Sequence, residues 1–267
     1  LSALWLILLS FLFRLTFGVA LAMGMTSSKL VTSGFFRVHL WVLMGVGTFA
    51  ALAAYANGQA MFPGRPQLPG LMFGASLGVA LVSYVGAVVW MYEQEMLGKR
   101  LLAIVAAIAL FAGLSAVRVN EFPAWRALFA ADWISSALLI GSTTTAMLLG
   151  HWYLNTPTMK LAPLRRLLLL LAFAVALRAV VGALGLGLEV QHRLAAGTAM
   201  PFSWQMFLVL RWSAAILATG GLCWLTWLTL NIPNTQSATG ILYAAVILVF
   251  IGELTSQLLS LETTFPV

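Results

Sequence analysis

The chain has 267 residues, of which 62% are hydrophobic and only 8% charged, where a soluble domain carries about 25% charged residues. That balance and the long apolar runs exclude an ordinary soluble protein and define a polytopic membrane protein. The formal net charge of +7 comes from basic residues scattered singly over short loops, a pattern that suits membrane lipids with anionic headgroups and not nucleic acid.

Hydropathy predicts eight spans of about 20 residues, the length that a roughly 30 Å hydrocarbon core demands. In chain order they are Ala3–Met25, Phe35–Asn57, Gly70–Tyr92, Leu101–Val117, Trp133–Tyr153, Leu167–Leu188, Phe202–Leu230 and Ile241–Leu261. Backbone groups in hydrocarbon must be satisfied within their own segment, so the expected fold is all-α: a bundle of eight transmembrane helices with short loops. Residues 1–267 are expected to form a single polytopic membrane domain. Breaks fall at Ser27–Lys29, Pro63–Pro69, Lys99–Arg100, Asn120–Pro123, Asn155–Pro163 and Asn231–Asn234. The first span lacks a basic leader and a small-residue cleavage site, and Arg14 interrupts it, so it reads as a mature helix and not as a signal peptide.

An even number of spans places both termini on one side. Arg65, Arg118, Arg126 and Arg193 fall on that side; Lys29, Arg37, Lys99, Arg100, Lys160, Arg165 and Arg166 fall on the other. The positive-inside rule makes the richer side cytoplasmic and the termini non-cytoplasmic. Trp41, Trp90, Trp133, Trp152 and Trp204, near span ends, are expected in interfacial belts.

Four charges remain inside apolar spans: Arg14, Arg178, Arg211 and Glu253. A charge near the bilayer centre costs about 2.5 to 3.5 kcal/mol on insertion scales and persists only facing protein, water or a partner. Helical spacing puts Ser10, Arg14 and Gly18 on one stripe; Ala174, Arg178, Gly182 and Gly185 on a second; and Arg211, Ala215 and Thr219 on a third. Glu253, Ser256, Gln257 and Ser260 form an inward polar stripe on the last helix. Together the four charges leave a surplus of two positive charges. Either Glu253 pairs one arginine while the others bond carbonyls or snorkel outward, or the surplus holds an anionic or carbonyl-bearing group such as a quinone, a haem propionate, a lipid phosphate or a small anion. Arg14–Gly18 and Arg178–Gly182 also share an Arg-x-x-x-Gly pattern that would mark an internal repeat.

His39 opens the second helix and His151 ends the fifth, at the same expected membrane face. Two imidazoles at similar depth are what an axially ligated b-type haem requires; interfacial packing is the other reading. His192 is expected in an outer loop. Glu93 and Glu95 beside Lys99 and Arg100 read as a solvated rim, and the lone Cys223 offers neither a disulfide nor a metal site. No phosphate loop, HExxH or GxSxG occurs, so no autonomous catalytic motif is present.

Two functions follow. One is an integral membrane subunit of a larger respiratory or electron-transfer complex, anchoring other protein subunits and housing a quinone or b-type haem. The other is a transporter or channel that moves a small anion or lipid along the buried arginines. In helix count and size, and in its Gly252–Glu253–Leu254 run, the chain resembles the eight-helix anchor subunits of molybdenum iron-sulfur oxidoreductases, which implies the first. That resemblance covers three residues and a topology, and no functional residue is carried over from it.

Overall fold

A computed structural model describes residues 2–117, 125–156, 158–232 and 234–267. Arg118, the Asn120–Pro123 break and Pro233 lie outside the described residues. The helices are α1 (Ser2–Met25), α2 (Ser33–Met61), α3 (Gln67–Met91), α4 (Glu95–Ala116), α5 (Arg126–Asn155), α6 (Ala162–Ala195), α7 (Phe202–Arg211), α8 (Thr219–Asn231) and α9 (Thr235–Leu259). A π-helical stretch, Trp212–Ala218, joins α7 to α8, so that Phe202–Asn231 is one continuous span. The described residues therefore form an all-α bundle of eight helices long and apolar enough to cross a membrane.

Local chemistry sets the ends. Pro163 sits in the first turn of α6, where its missing N–H costs nothing. Asn234 caps α9 by accepting the Ser237 N–H at 2.9 Å. Between α3 and α4 the chain reverses within three residues, and Glu93 takes a left-handed φ of 58° to do so. Glu95 accepts the Ser28 hydroxyl at 2.7 Å, tying this turn to the α1–α2 loop.

Packing divides the bundle into two groups of four. Helices α1 to α4 form one, each neighbour antiparallel and α4 returning to α1; α5, α6, the α7–α8 span and α9 form the other. The groups join mainly where α1 crosses α5. Gly18 and Gly141 make that crossing: a Cβ on Gly18 would lie 2.0 Å from the Ala137 carbonyl oxygen, and one on Gly141 would lie 2.0 Å from the Gly18 carbonyl carbon. Small residues let backbones approach where no hydrophobic drive separates helix from lipid.

Several expectations are corrected. Helices α5 and α6 run well past their hydropathic limits, to 30 and 34 residues, and His192 lies in the last turn of α6, not in a loop, packed on the Phe265 ring. Trp90, Trp133 and Trp204 are not belt residues but are buried, the first two beneath Gly98 and Gly113. The two Arg-x-x-x-Gly segments pack differently, since Gly18 meets a backbone on α5 while Gly182 meets the Arg211 side chain.

Alternation of the spans predicts that a membrane-impermeant thiol reagent reaches cysteines placed at Lys29, Lys99 and Lys160 from one face and those at Arg65 and Arg193 from the opposite face. Labelling of Lys29 and Arg65 positions from the same face would contradict the eight-span topology.

Candidate functional site: a buried charge cluster

The inward stripes of α1, α5, α6, α7 and α9 converge on one charged cluster. Arg178, only 1% exposed, is its centre. Its Nε donates to Glu253 Oε1 at 2.9 Å, its Nη2 to Ser256 Oγ at 2.8 Å, and its Nη1 to Asp132 Oδ1 in a short contact. One guanidinium thus ties α6 to both α5 and α9. Glu253 is fully buried, and the Ser256 and Gln257 side chains stand beside it on the inward face of α9.

Arg14 reaches the cluster from α1. Its Nη1 donates to Ser10 Oγ at 3.1 Å, and its Nη2 lies 3.7 Å from Asp132 Oδ2. That second distance is an ion pair but longer than a hydrogen bond. Its Nε has no hydrogen-bond partner among the described residues. Arg211 is 1% exposed and differs from both, because none of its three nitrogens has a hydrogen-bond partner among the described residues. It packs beneath Gly182, where a Cβ would lie 2.5 Å from Nη2, with its guanidinium carbon 5.1 Å from the Trp212 ring centroid. A cation over an indole face is stabilised by the ring quadrupole, which offsets part of the lost hydration.

Asp132 was not among the four charges that the sequence singled out. It lies just before the expected start of the fifth span, yet α5 begins at Arg126 and carries it inside. Its presence changes the balance: three arginines face two carboxylates, leaving one net positive charge and not two.

A cavity of about 130 Å³ adjoins the cluster. It lies at the end of the bundle that carries the start of α1 and the end of α9, and Arg14, Asp132, Trp133, Gln257 and Ser260 line its polar part. Gln257 is 8% exposed, and neither its amide nitrogen nor its amide oxygen has a hydrogen-bond partner among the described residues. Buried polar atoms are ordinarily satisfied, so an unpaired amide lining a cavity marks a place where something else supplies the bond.

A strap beyond α9 closes one side of this cavity. Glu189, on α6 and 1% exposed, accepts the backbone N–H groups of Thr264 and Phe265, each at 3.0 Å, and Arg193 Nε at 2.6 Å. Ser256 Oγ donates to the Val267 carbonyl, and Pro266 lines the cavity while its carbonyl lies against Gly185. Glu189 too was missed in the sequence, one residue beyond the expected end of the sixth span.

The two histidines lie away from this cluster. His39 is buried, with Nδ1 2.6 Å from the Phe35 carbonyl oxygen and its ring against Phe35 and Trp152. His151 is exposed, and its Nδ1 lies 3.1 Å from the Tyr243 hydroxyl. Among the described residues no group of three or more His, Cys, Asp or Glu side chains is placed to hold a metal ion. Thr143 and Thr144 bond the Leu139 and Ile140 carbonyls of their own helix, as hydroxyls in membrane helices commonly do. Cys223 is a free, buried thiol.

Fold and cluster together define a multi-pass helical membrane protein with buried, internally paired charges. No family model matches the chain, and neither a curated protein nor a solved structure matches it.

Proposed function

We propose that this protein takes up a small anion inside its helix bundle and passes it across the membrane, with Arg14 as the receiving group. The observation that carries this reading is the incompletely paired guanidinium of Arg14 lining a cavity beside a cluster with one net positive charge. An anion bonded to Arg14 would complete hydrogen bonds that Asp132, at 3.7 Å, leaves unmade. Arg178 is saturated by two carboxylates and a hydroxyl and serves as the fixed post of the site; Arg211, in the second group of helices, is the next positive charge, without a hydrogen-bond partner among the described residues. By the positive-inside rule the cavity faces the non-cytoplasmic side, and the basic residues opposite face anionic lipid headgroups.

Chloride, nitrate, acetate and phosphate added singly to the purified protein test this. At least one should bind, and reconstituted vesicles should exchange it. Arg14→Gln should weaken binding roughly 10- to 100-fold, the worth of a charge-assisted hydrogen bond of about 1.5 to 3 kcal/mol. Failure of all four to bind or exchange would remove the reading.

A second reading is a membrane subunit of a respiratory or electron-transfer complex. It is favoured by the two histidines, whose Nδ1 atoms are each engaged by an oxygen, leaving Nε2 as the ligating nitrogen, the arrangement that orients haem ligands. Such a protein would show a dithionite-reduced b-type band that His39→Ala and His151→Ala each abolish. A colourless preparation from native membranes would dismiss it.

A further inference from the structure

The Arg14 cavity has a charge balance, a hydrogen-bonding edge and a wall chemistry that together select among anions. From these we infer that its ligand is a short-chain monocarboxylate, an inference that rests on the anion reading above.

Charge comes first. Arg14 is the cation at the cavity, with Asp132 already 3.7 Å away, so a low-dielectric interior holds a monovalent anion beside it at less cost than a divalent phosphate or sulfate. Geometry comes second. The Nε and Nη2 atoms of an arginine form the edge that a carboxylate engages with two parallel hydrogen bonds. On Arg14 this is the edge with hydrogen bonds still to make: Nε has no partner among the described residues, and Nη2 is beyond hydrogen-bond length from Asp132. The Gln257 amide, unpaired and lining the same cavity, supplies a further donor to a carboxylate oxygen.

Wall chemistry comes third. Leu6, Ile7 and Phe129 are among the apolar residues that line the cavity. Chloride or nitrate would leave that surface bare, while an alkyl tail covers it. The cavity, about 130 Å³, has room for a carboxylate with a tail of a few carbons.

Equilibrium binding of radiolabelled butyrate to the detergent-purified protein at pH 7 tests the inference, with acetate, propionate, chloride, nitrate, phosphate and sulfate as competitors at fixed ionic strength. Affinity should rise about fourfold per methylene from acetate to butyrate, following the burial of each CH₂. Butyrate should exceed chloride and sulfate at least tenfold. Gln257→Leu should weaken butyrate about tenfold while keeping the wild-type melting temperature, and Leu6→Gln should flatten the chain-length series without abolishing acetate binding. A flat series in the wild type, or chloride, nitrate or phosphate binding as tightly as butyrate and lost in Arg14→Gln, would overturn the monocarboxylate and leave the anion reading standing. Absence of binding by every anion would remove both.

Discussion

Arg178→Ala is expected to be the most damaging single substitution in this protein. It strips Glu253 of its 2.9 Å ion pair and Asp132 of its shortest one, leaving Asp132 an ion pair with Arg14 at 3.7 Å and Glu253 none among the described residues. Removing one partner of a buried pair costs about 3 to 5 kcal/mol, because the other charge stays behind without its solvation. In a chain of this size that corresponds to a fall in melting temperature of roughly 10 °C, at about 2 to 4 °C per kcal/mol. Thermal unfolding in detergent, read with the fraction of monodisperse protein, measures it. Arg178→Met combined with Glu253→Leu should recover most of the loss, since it removes a pair together and leaves Asp132 to Arg14. A double variant as unstable as Arg178→Ala would show that the guanidinium acts through something other than its carboxylates.

The second large effect lies at the crossing of α1 and α5. A side chain on Gly141 would overlap the Gly18 backbone at 2.0 to 2.5 Å, and backbone, unlike the end of a flexible side chain, has no rotamer to yield. Gly141→Val should therefore separate the two groups of helices, at a cost of about 1 to 3 kcal/mol or more. Because Arg14 lies one turn from Gly18, the same shift should lengthen the Arg14–Asp132 contact and disable the cavity. Anion binding measured beside the melting temperature distinguishes this from simple instability: binding should fall further than in a core Leu171→Ala variant of equal stability. Equal binding in the two variants would break the link between the crossing and the site.

Spans and apolar stripes were legible in the sequence because each rests on a local property, twenty apolar residues or a 3.6-residue period. Asp132 and Glu189 were not, and for one shared reason. Hydropathy trims a span where a strong charge falls near its end, so a carboxylate that is buried near a helix end is assigned to a loop by the very feature that makes it informative. Trp133 reinforced the error, since a tryptophan beside an aspartate reads as an interface. The stripe Asp132–Ser136–Thr143 was nonetheless present at helical spacing, and three buried arginines against a single glutamate already called for another acid. Arg211 posed the opposite difficulty. Its burial was expected, but its lack of a hydrogen-bonding partner among the described residues depends on how several helices pack, which no local window contains.

The stretch Trp212–Ala218 is wound as a π-helix, with Thr219 Oγ1 reaching back five residues to the Ala214 carbonyl at 2.9 Å. A π turn holds one residue more than an α turn, and each residue of an α-helix turns the chain by about 100°. The inward aim of Arg211 is therefore written as a length, not as a residue type. A chain one residue shorter between Arg211 and Thr219 would keep every side chain of the cluster and yet swing this guanidinium out of the bundle interior.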